Sequence, residues 1–369
     1  MGHATRHASA LGLHLIITDS SVNEMERERR ARTWYSLYAL EVLLAEITGR
    51  PKSINSSDVT LSIDDFMFSK VGTASAPVQI DSFVSTIDSR RLWLDFLGAD
   101  REAMQSMSGG VVPWRNFQSI GQSMPPAQFS YHLKLCTLSE KIAQSLYTGF
   151  QRQPWSETQD MIGELQGELR NWSQDLPDEL NIQTQAASNT DPRAKLEVAM
   201  YQHSLEMILY RPMLCEVKIE NQSERSKEFN RNCARACVHA AMSMFALMPD
   251  SPTAHEVYQL LPWWSLLHYV SQSCVVIILE LCLDAQHFPH EIPQLVSYLR
   301  KGMAYLWCMT EGSGSAYKAW RIFRKLLTDV ALKFDDLGIA DIPEEAIPPP
   351  TWKKSDEDSL MEVSTVMPR

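Results

Sequence analysis

Apolar positions along this chain recur mostly at spacings of three and four, the period of a helix turning one face to a core, and alternate only briefly as a strand would. Trp34, Leu37, Leu40, Leu44 and Ile47 make one such row, and Tyr35, Tyr38, Val42 and Ala45 make a second. A helix apolar on both rows is predicted to be internal. Gly49 and Pro51 supply its stop. Upstream, Ala4, Ala8, Leu11 and Leu15 predict an amphipathic opening helix over residues 5–16. Further helices are predicted over 84–97, 129–151, 196–209, 230–247, 263–283, 292–307 and 317–337, the last closed by Gly338. Ser156 and Gln159 have the spacing of a capping box, opening a helix whose stripe is Ile162, Leu165, Leu169 and Trp172 and which ends before Leu176-Pro177.

Polar stretches separate these elements. Residues 55–79, with a short alternation at Val59, Leu61 and Ile63, read as a long connection; Gly109-Gly110 through Pro125-Pro126 and residues 181–192 read as loops. After Ile342 the composition turns to proline and acid, predicting a disordered tail. The fold class is therefore all-α, with one large helical domain over 1–342 and a Pro-rich acidic tail over 343–369. Composition agrees, because 15 Gly against 10 Trp and 17 Met in 369 residues suits helices packed on helices better than a turn-rich sheet protein.

Charge narrows the partners. A net charge of -11 repels phosphate backbones. The one dense basic patch, Arg27, Arg29, Arg30 and Arg32, is interleaved with Glu24, Glu26 and Glu28, a pattern that predicts a solvated face of helical ion pairs. The seven cysteines (Cys136, Cys215, Cys233, Cys237, Cys274, Cys282 and Cys308) are scattered in apolar helical patterns and read as buried, reduced thiols of an intracellular protein. No secretory signal is evident at the N-terminus. The most apolar run, residues 274–283, contains Glu280 and is shorter than a membrane span of ~20 residues.

Motifs for chemistry are incomplete. Asp64-Asp65 and Asp335-Asp336 lack the further carboxylates that a magnesium-diphosphate site of a terpene cyclase would need. Ser123 follows Gly121 without the second glycine of a nucleophile elbow, and Gly312 and Gly314 read as a helix–helix loop, not a dinucleotide cradle. Cys233, Cys237 and His239, or His3 and His7, lack a second pair at zinc-site spacing. Trp263 and Trp264 read as core fillers. The sequence thus offers no catalytic, cofactor-binding, metal or DNA-binding residue.

The run Glu28-Arg29-Arg30-Ala31-Arg32-Thr33-Trp34-Tyr35-Ser36-Leu37-Tyr38, with Glu41 and then Gly49-Arg50-Pro51, resembles the middle homology region of fungal zinc-cluster transcription factors. Ala10 to His14, the stretch holding Trp172 and Leu176-Pro177, Leu209-Tyr210-Arg211-Pro212, and Cys233 to Ala241 continue the likeness in order. The signature positions are Arg30, Arg32, Trp34, Tyr35, Leu37, Tyr38, Glu41, Gly49, Arg50 and Pro51, with Glu41 standing where the family usually has aspartate. Their implied roles are structural: the aromatic pair plugs the core, Gly49 permits a left-handed exit, and Arg50 reaches carbonyls or a carboxylate at helix ends.

The resemblance implies a nuclear regulator of RNA polymerase II genes. Its implied partners are the transcription machinery or related factors, with a possible small-molecule effector and no membrane. The family's zinc cluster of cysteines has no counterpart in this sequence, so zinc is expected only in a DNA-binding module that the chain lacks, and the chain is not expected to bind DNA by itself. The alternatives are a terpene cyclase-like enzyme and a co-regulator that pairs with full-length factors. The mixed acidic and apolar positions between Trp352 and Val363 suit an activation segment or a plain solvated tail.

Overall fold

A computed structural model describes residues 2–63, 127–148, 154–183, 192–214, 222–250, 252, 261–331 and 342–348. Among them the regular structure is helical and no strand occurs. The described residues fall into two compact units, the first formed from those up to residue 198 and the second from those beyond it.

In the first unit, α1 (Gly2–Ala10), α2 (Glu24–Thr48), α3 (Ala127–Ile142) and α4 (Trp155–Gln174) pack in succession, α1 and α3 on α2, and α4 on α3. Helix α1 is shorter than the predicted 5–16. Gly12 takes a left-handed φ of 65°, and the Leu13 amide donates to the Ala8 carbonyl at 3.0 Å, so the chain turns out of the helix there. Leu11 and Leu15, placed by periodicity on the buried stripe, are consequently 65% and 43% exposed. Asn23 caps α2, its side chain accepting from the Glu26 amide at 2.8 Å.

Helix α3 matches the predicted start and ends in a π turn over Ala143–Tyr147. Helix α4 buries Ile162, Leu165, Leu169 and Trp172 as expected. The capping box does not form: Pro154 is the N-cap, and Ser156 already lies inside the first turn. Proline is well placed at such a start because its missing N–H would have no helical partner anyway.

In the second unit, the end of α5 (Pro192–Leu214) precedes α6 (Glu224–Ala246), α7 (Trp263–Cys282), α8 (Ile292–Thr310) and α9 (Gly314–Ala331). Helix α7 packs against α6, α8 and α9, and α8 against α6 and α9. Helix α5 runs past the predicted end at 209 and carries Pro212 in its last turn. The predicted loop at Gly312 and Gly314 is the short connection from α8 to α9, where the Ser313 hydroxyl accepts from the Ala316 amide at 3.2 Å. Trp263 and Trp264 are half-buried at the start of α7 instead of filling the core. Cys282 is exposed and Cys308 half-buried, whereas Cys136, Cys233, Cys237 and Cys274 are buried as expected.

Helix α7 is, by length and composition, long and apolar enough to cross a membrane, which the shorter run 274–283 did not suggest. Most of its apolar window is covered by neighbouring helices, and it buries Ser273 and Glu280. Bilayer-facing surface would carry neither. The predictions for residues 64–126, for 149–151, for 184–191, for Cys215, for 332–341 including Asp335-Asp336 and Gly338, and for 349–369 lie outside the described residues.

One tight helix approach in this unit is set by a glycine. A β-carbon on Gly302 of α8 would stand 2.6 Å from Cys274 Sγ on α7 and 2.6 Å from Phe245 Cζ on α6. Gly163 and Gly167, both inside α4, have open space at the same position. Gly302→Ala is expected to lower the stability of the second unit by about 1–3 kcal/mol through overpacking, whereas Gly163→Ala should raise that of the first by up to about 1 kcal/mol. Denaturant unfolding of both variants checks this, and equal effects would show that the Gly302 contact is not tight.

Candidate functional site

The residues singled out by the sequence lie on α2 and on the segment that returns from it, residues 49–61. The two apolar rows of α2 are not equally buried. Trp34, Tyr35, Tyr38, Ala39, Val42 and Leu43 form its core face, while Leu40 is 38% exposed and Leu37, Leu44 and Ile47 are half-buried. The helix is thus amphipathic, not internal all round.

Its exit is made by backbone. Gly49 adopts a φ of 62°, its N–H donates to the Glu46 carbonyl, and the Arg50 N–H donates to the Ala45 carbonyl at 3.2 Å. The Arg50 side chain, expected to reach a carbonyl or carboxylate, is exposed and makes no bond to a described residue; its contribution is the amide. Pro51 follows, exposed.

Glu41 then fixes the returning chain. It is 5% exposed, and its carboxylate accepts from the Ser53 amide at 2.8 Å, from the Ser53 hydroxyl, and from the Ile54 amide at 3.2 Å. Ile54, drawn inward by these bonds, is itself 6% exposed. Charge-assisted bonds of this kind are about twice as strong as neutral ones, and stranding the donors would cost about 1–3 kcal/mol each.

The tyrosines extend the same tie. Tyr35 Oη donates to the Leu61 carbonyl at 2.8 Å, and Tyr38 Oη donates to Glu140 on α3 at 2.8 Å. Glu140 also meets Lys52 Nζ at 2.6 Å and the Ser56 hydroxyl at 2.6 Å, and Lys52 lies 5.3 Å from the centre of the Tyr38 ring. Burial alone would raise the Glu140 carboxyl; the bonds from Lys52, Ser56 and Tyr38 outweigh it and hold it below the usual range. Burial, followed by the Glu140 charge, pushes the Tyr38 hydroxyl up, so it remains a donor. Glu140, Lys52 and Ser53 were missed by sequence reasoning because their partners are 12 to 102 residues away and no local spacing announces them.

The arginine patch divides in two. Arg29 pairs with Glu26, and Arg32 with Glu28 at 2.6 Å, as the charge pattern predicts. Arg27 and Arg30 instead bind the loop before α2: Arg27 donates to the carbonyls of Val22 and Asp19, and Arg30 to that of Leu11 at 2.5 Å.

Metal chemistry has little to work with. Among the described residues no three of His, Cys, Asp and Glu converge. Cys237 donates to the Met207 carbonyl, burial pushes the Cys233 thiol up to about 12, and His239, His3 and His7 are exposed. A zinc cluster of the family type needs thiolates gathered in one place, and these residues do not fit one.

Titration in this unit has a definite sign. Burial pushes the His132 imidazole down to about 4, against an opposing pull from Glu46. Since an unfolded histidine titrates near ~6.5, the unfolded chain takes up that proton first, and the folded state loses stability as pH falls from about 6.5 toward 4. The depressed Glu140 adds a loss only below about 4.3, as pH falls through its folded value. Chemical unfolding across this range is expected to show an acid limb whose slope His132→Asn reduces by about 1 kcal/mol per pH unit. An unchanged slope in that variant would contradict the assignment.

Residues 1–174 match the family model described as the fungal specific transcription factor domain. The transcription regulator galc of Aspergillus niger is 23% identical over 389 residues, covering 93% of this chain and 46% of that protein. The transcription factor FBD3 of Fusarium pseudograminearum is 24% identical over 308 residues, covering 78% of this chain and 35% of that protein. A putative transcriptional regulatory protein of Saccharomyces cerevisiae is 22% identical over 296 residues, covering 74% and 33%. The chain therefore spans less than half the length of these relatives. No solved structure matches it.

Proposed function

We propose that this chain, whose residues 1–174 carry a fungal specific transcription factor domain, acts as the regulatory part of a transcription regulator in the nucleus and not as an enzyme. The observation that carries the reading is that the signature and its return segment are committed to one packed device. Tyr35, Tyr38, Glu41 and Gly49 all serve chain reversal, leaving none of them available for turnover. Residues 1–342 work as the regulatory module and 343–369 as its tail, with DNA reading and any zinc supplied by a separate module. Partners are the transcription machinery or related factors. The names of the relatives, all regulators or factors of transcription, support this assignment.

Fused to a foreign DNA-binding domain, the whole chain should change reporter output from a promoter bearing that domain's site by several-fold, up or down. Glu41→Ala, which strands the Ser53 and Ile54 amides, should abolish the change at unaltered protein level. A fusion that leaves output at the level of the DNA-binding domain alone would remove the reading. Magnesium-dependent release of diphosphate from an isoprenoid diphosphate would instead establish the cyclase alternative.

A further inference from the structure

The first turns of α2 hold a set of polar groups that the chain reversal does not use. Arg30 and Trp34 lie one turn apart on α2, and His14 comes from the loop behind them, its ring 5.4 Å from that of Trp34. Three of their nitrogens are buried and unpartnered: Arg30 Nε, Trp34 Nε1 and His14 Nδ1. Trp34 is 2% exposed, so its indole N–H does not face bulk solvent. Arg30 spends one terminal nitrogen on the Leu11 carbonyl and has no ion pair among the described residues, while the neighbouring acids Glu26 and Glu28 pair with Arg29 and Arg32.

A half-buried guanidinium with no counter-charge among the described residues is costly, and so is each buried donor without an acceptor. Two N–H donors, one of them cationic, beside an imidazole that can donate a third bond, form the donor set that suits an oxyanion. The wall is set by Gly12. Leu15 Cδ1 and Arg30 Nη2 lie 3.6 and 4.0 Å from the place a β-carbon there would take, so the loop passes close over the guanidinium.

We infer that Arg30, Trp34 and His14 form a binding site for the oxyanion of a small ligand, a carboxylate or phosphate group held between α2 and the loop over residues 11–14. The inference goes beyond the regulatory reading and stands on these contacts alone, so its failure and that of the reporter test are separable. The readout is the indole N–H resonance of Trp34, assigned by its loss in Trp34→Phe, during titration of the full chain with inorganic phosphate or with acetate. Sodium chloride at matched ionic strength serves as control.

A saturable shift with either oxyanion and none with chloride is expected. Response to phosphate assigns a phosphate group, and response to acetate alone assigns a carboxylate. Arg30→Gln should weaken the apparent affinity by about tenfold or more. Should that variant melt below the working temperature, Arg30→Lys, which keeps the charge but displaces the donors, is expected to show the same loss. No saturable shift in the native chain, or a shift of undiminished affinity in the arginine variant, would overturn the site.

Discussion

A carboxylate buried on a helix, with backbone amides of the departing chain aimed at it, is the constraint on which the signature region depends. Glu41 sits on the core face of α2 and receives the amides of Ser53 and Ile54 and the Ser53 hydroxyl. Without an acceptor there, those amides would be stranded beside an apolar core. With it, Ile54 is drawn into that core, Lys52 is brought to Glu140, and Leu61 is set under the Tyr35 hydroxyl. Gly49 makes the turn possible, but Glu41 determines where the chain goes after it.

The second unit repeats the device with different residues. Glu280, fully buried on α7, accepts from the amides of His287 at 2.7 Å and Phe288 at 3.2 Å, and its second oxygen meets His287 Nδ1 at 2.8 Å. Here no glycine is available, and Asp284 and Ala285 take left-handed φ values of 58° and 51°. Such a conformation costs a non-glycine residue roughly 1–2 kcal/mol, which the bonds to Glu280 offset. Each unit therefore ties the chain leaving a helix to a buried acid on that helix, and both acids sit in stretches that composition alone marks as apolar.

That disguise explains what the sequence could and could not disclose. The helices among the described residues, the stop at Gly49 and the stripe of α4 follow from local spacing and were legible. The end of α1 was misplaced because Gly12 was overlooked as a helix-ending glycine in favour of an apolar stripe that continues past it. The capping box failed because Pro154 starts α4 two residues earlier than a Ser156 cap requires. The double apolar face of α2 was overread, since periodicity reports which faces are apolar and not which of them meets a neighbour. At the candidate site, Arg30, Trp34, Tyr38, Glu41 and the stretch ending at His14 were visible as a family pattern, while Ser53 and Glu140, the partners of Glu41 and Tyr38, depend on tertiary contact and carry no local signal.

The central claim is that Glu41 holds the return segment through its backbone amides. Residue-resolved hydrogen exchange on the native chain tests it most directly. The Ser53 and Ile54 amides should exchange as slowly as those in the middle of α2, although they lie outside any long helix, and Glu41→Gln should speed both selectively. Exchange at the rate of a free loop in the native chain, or protection unchanged in Glu41→Gln, would contradict it.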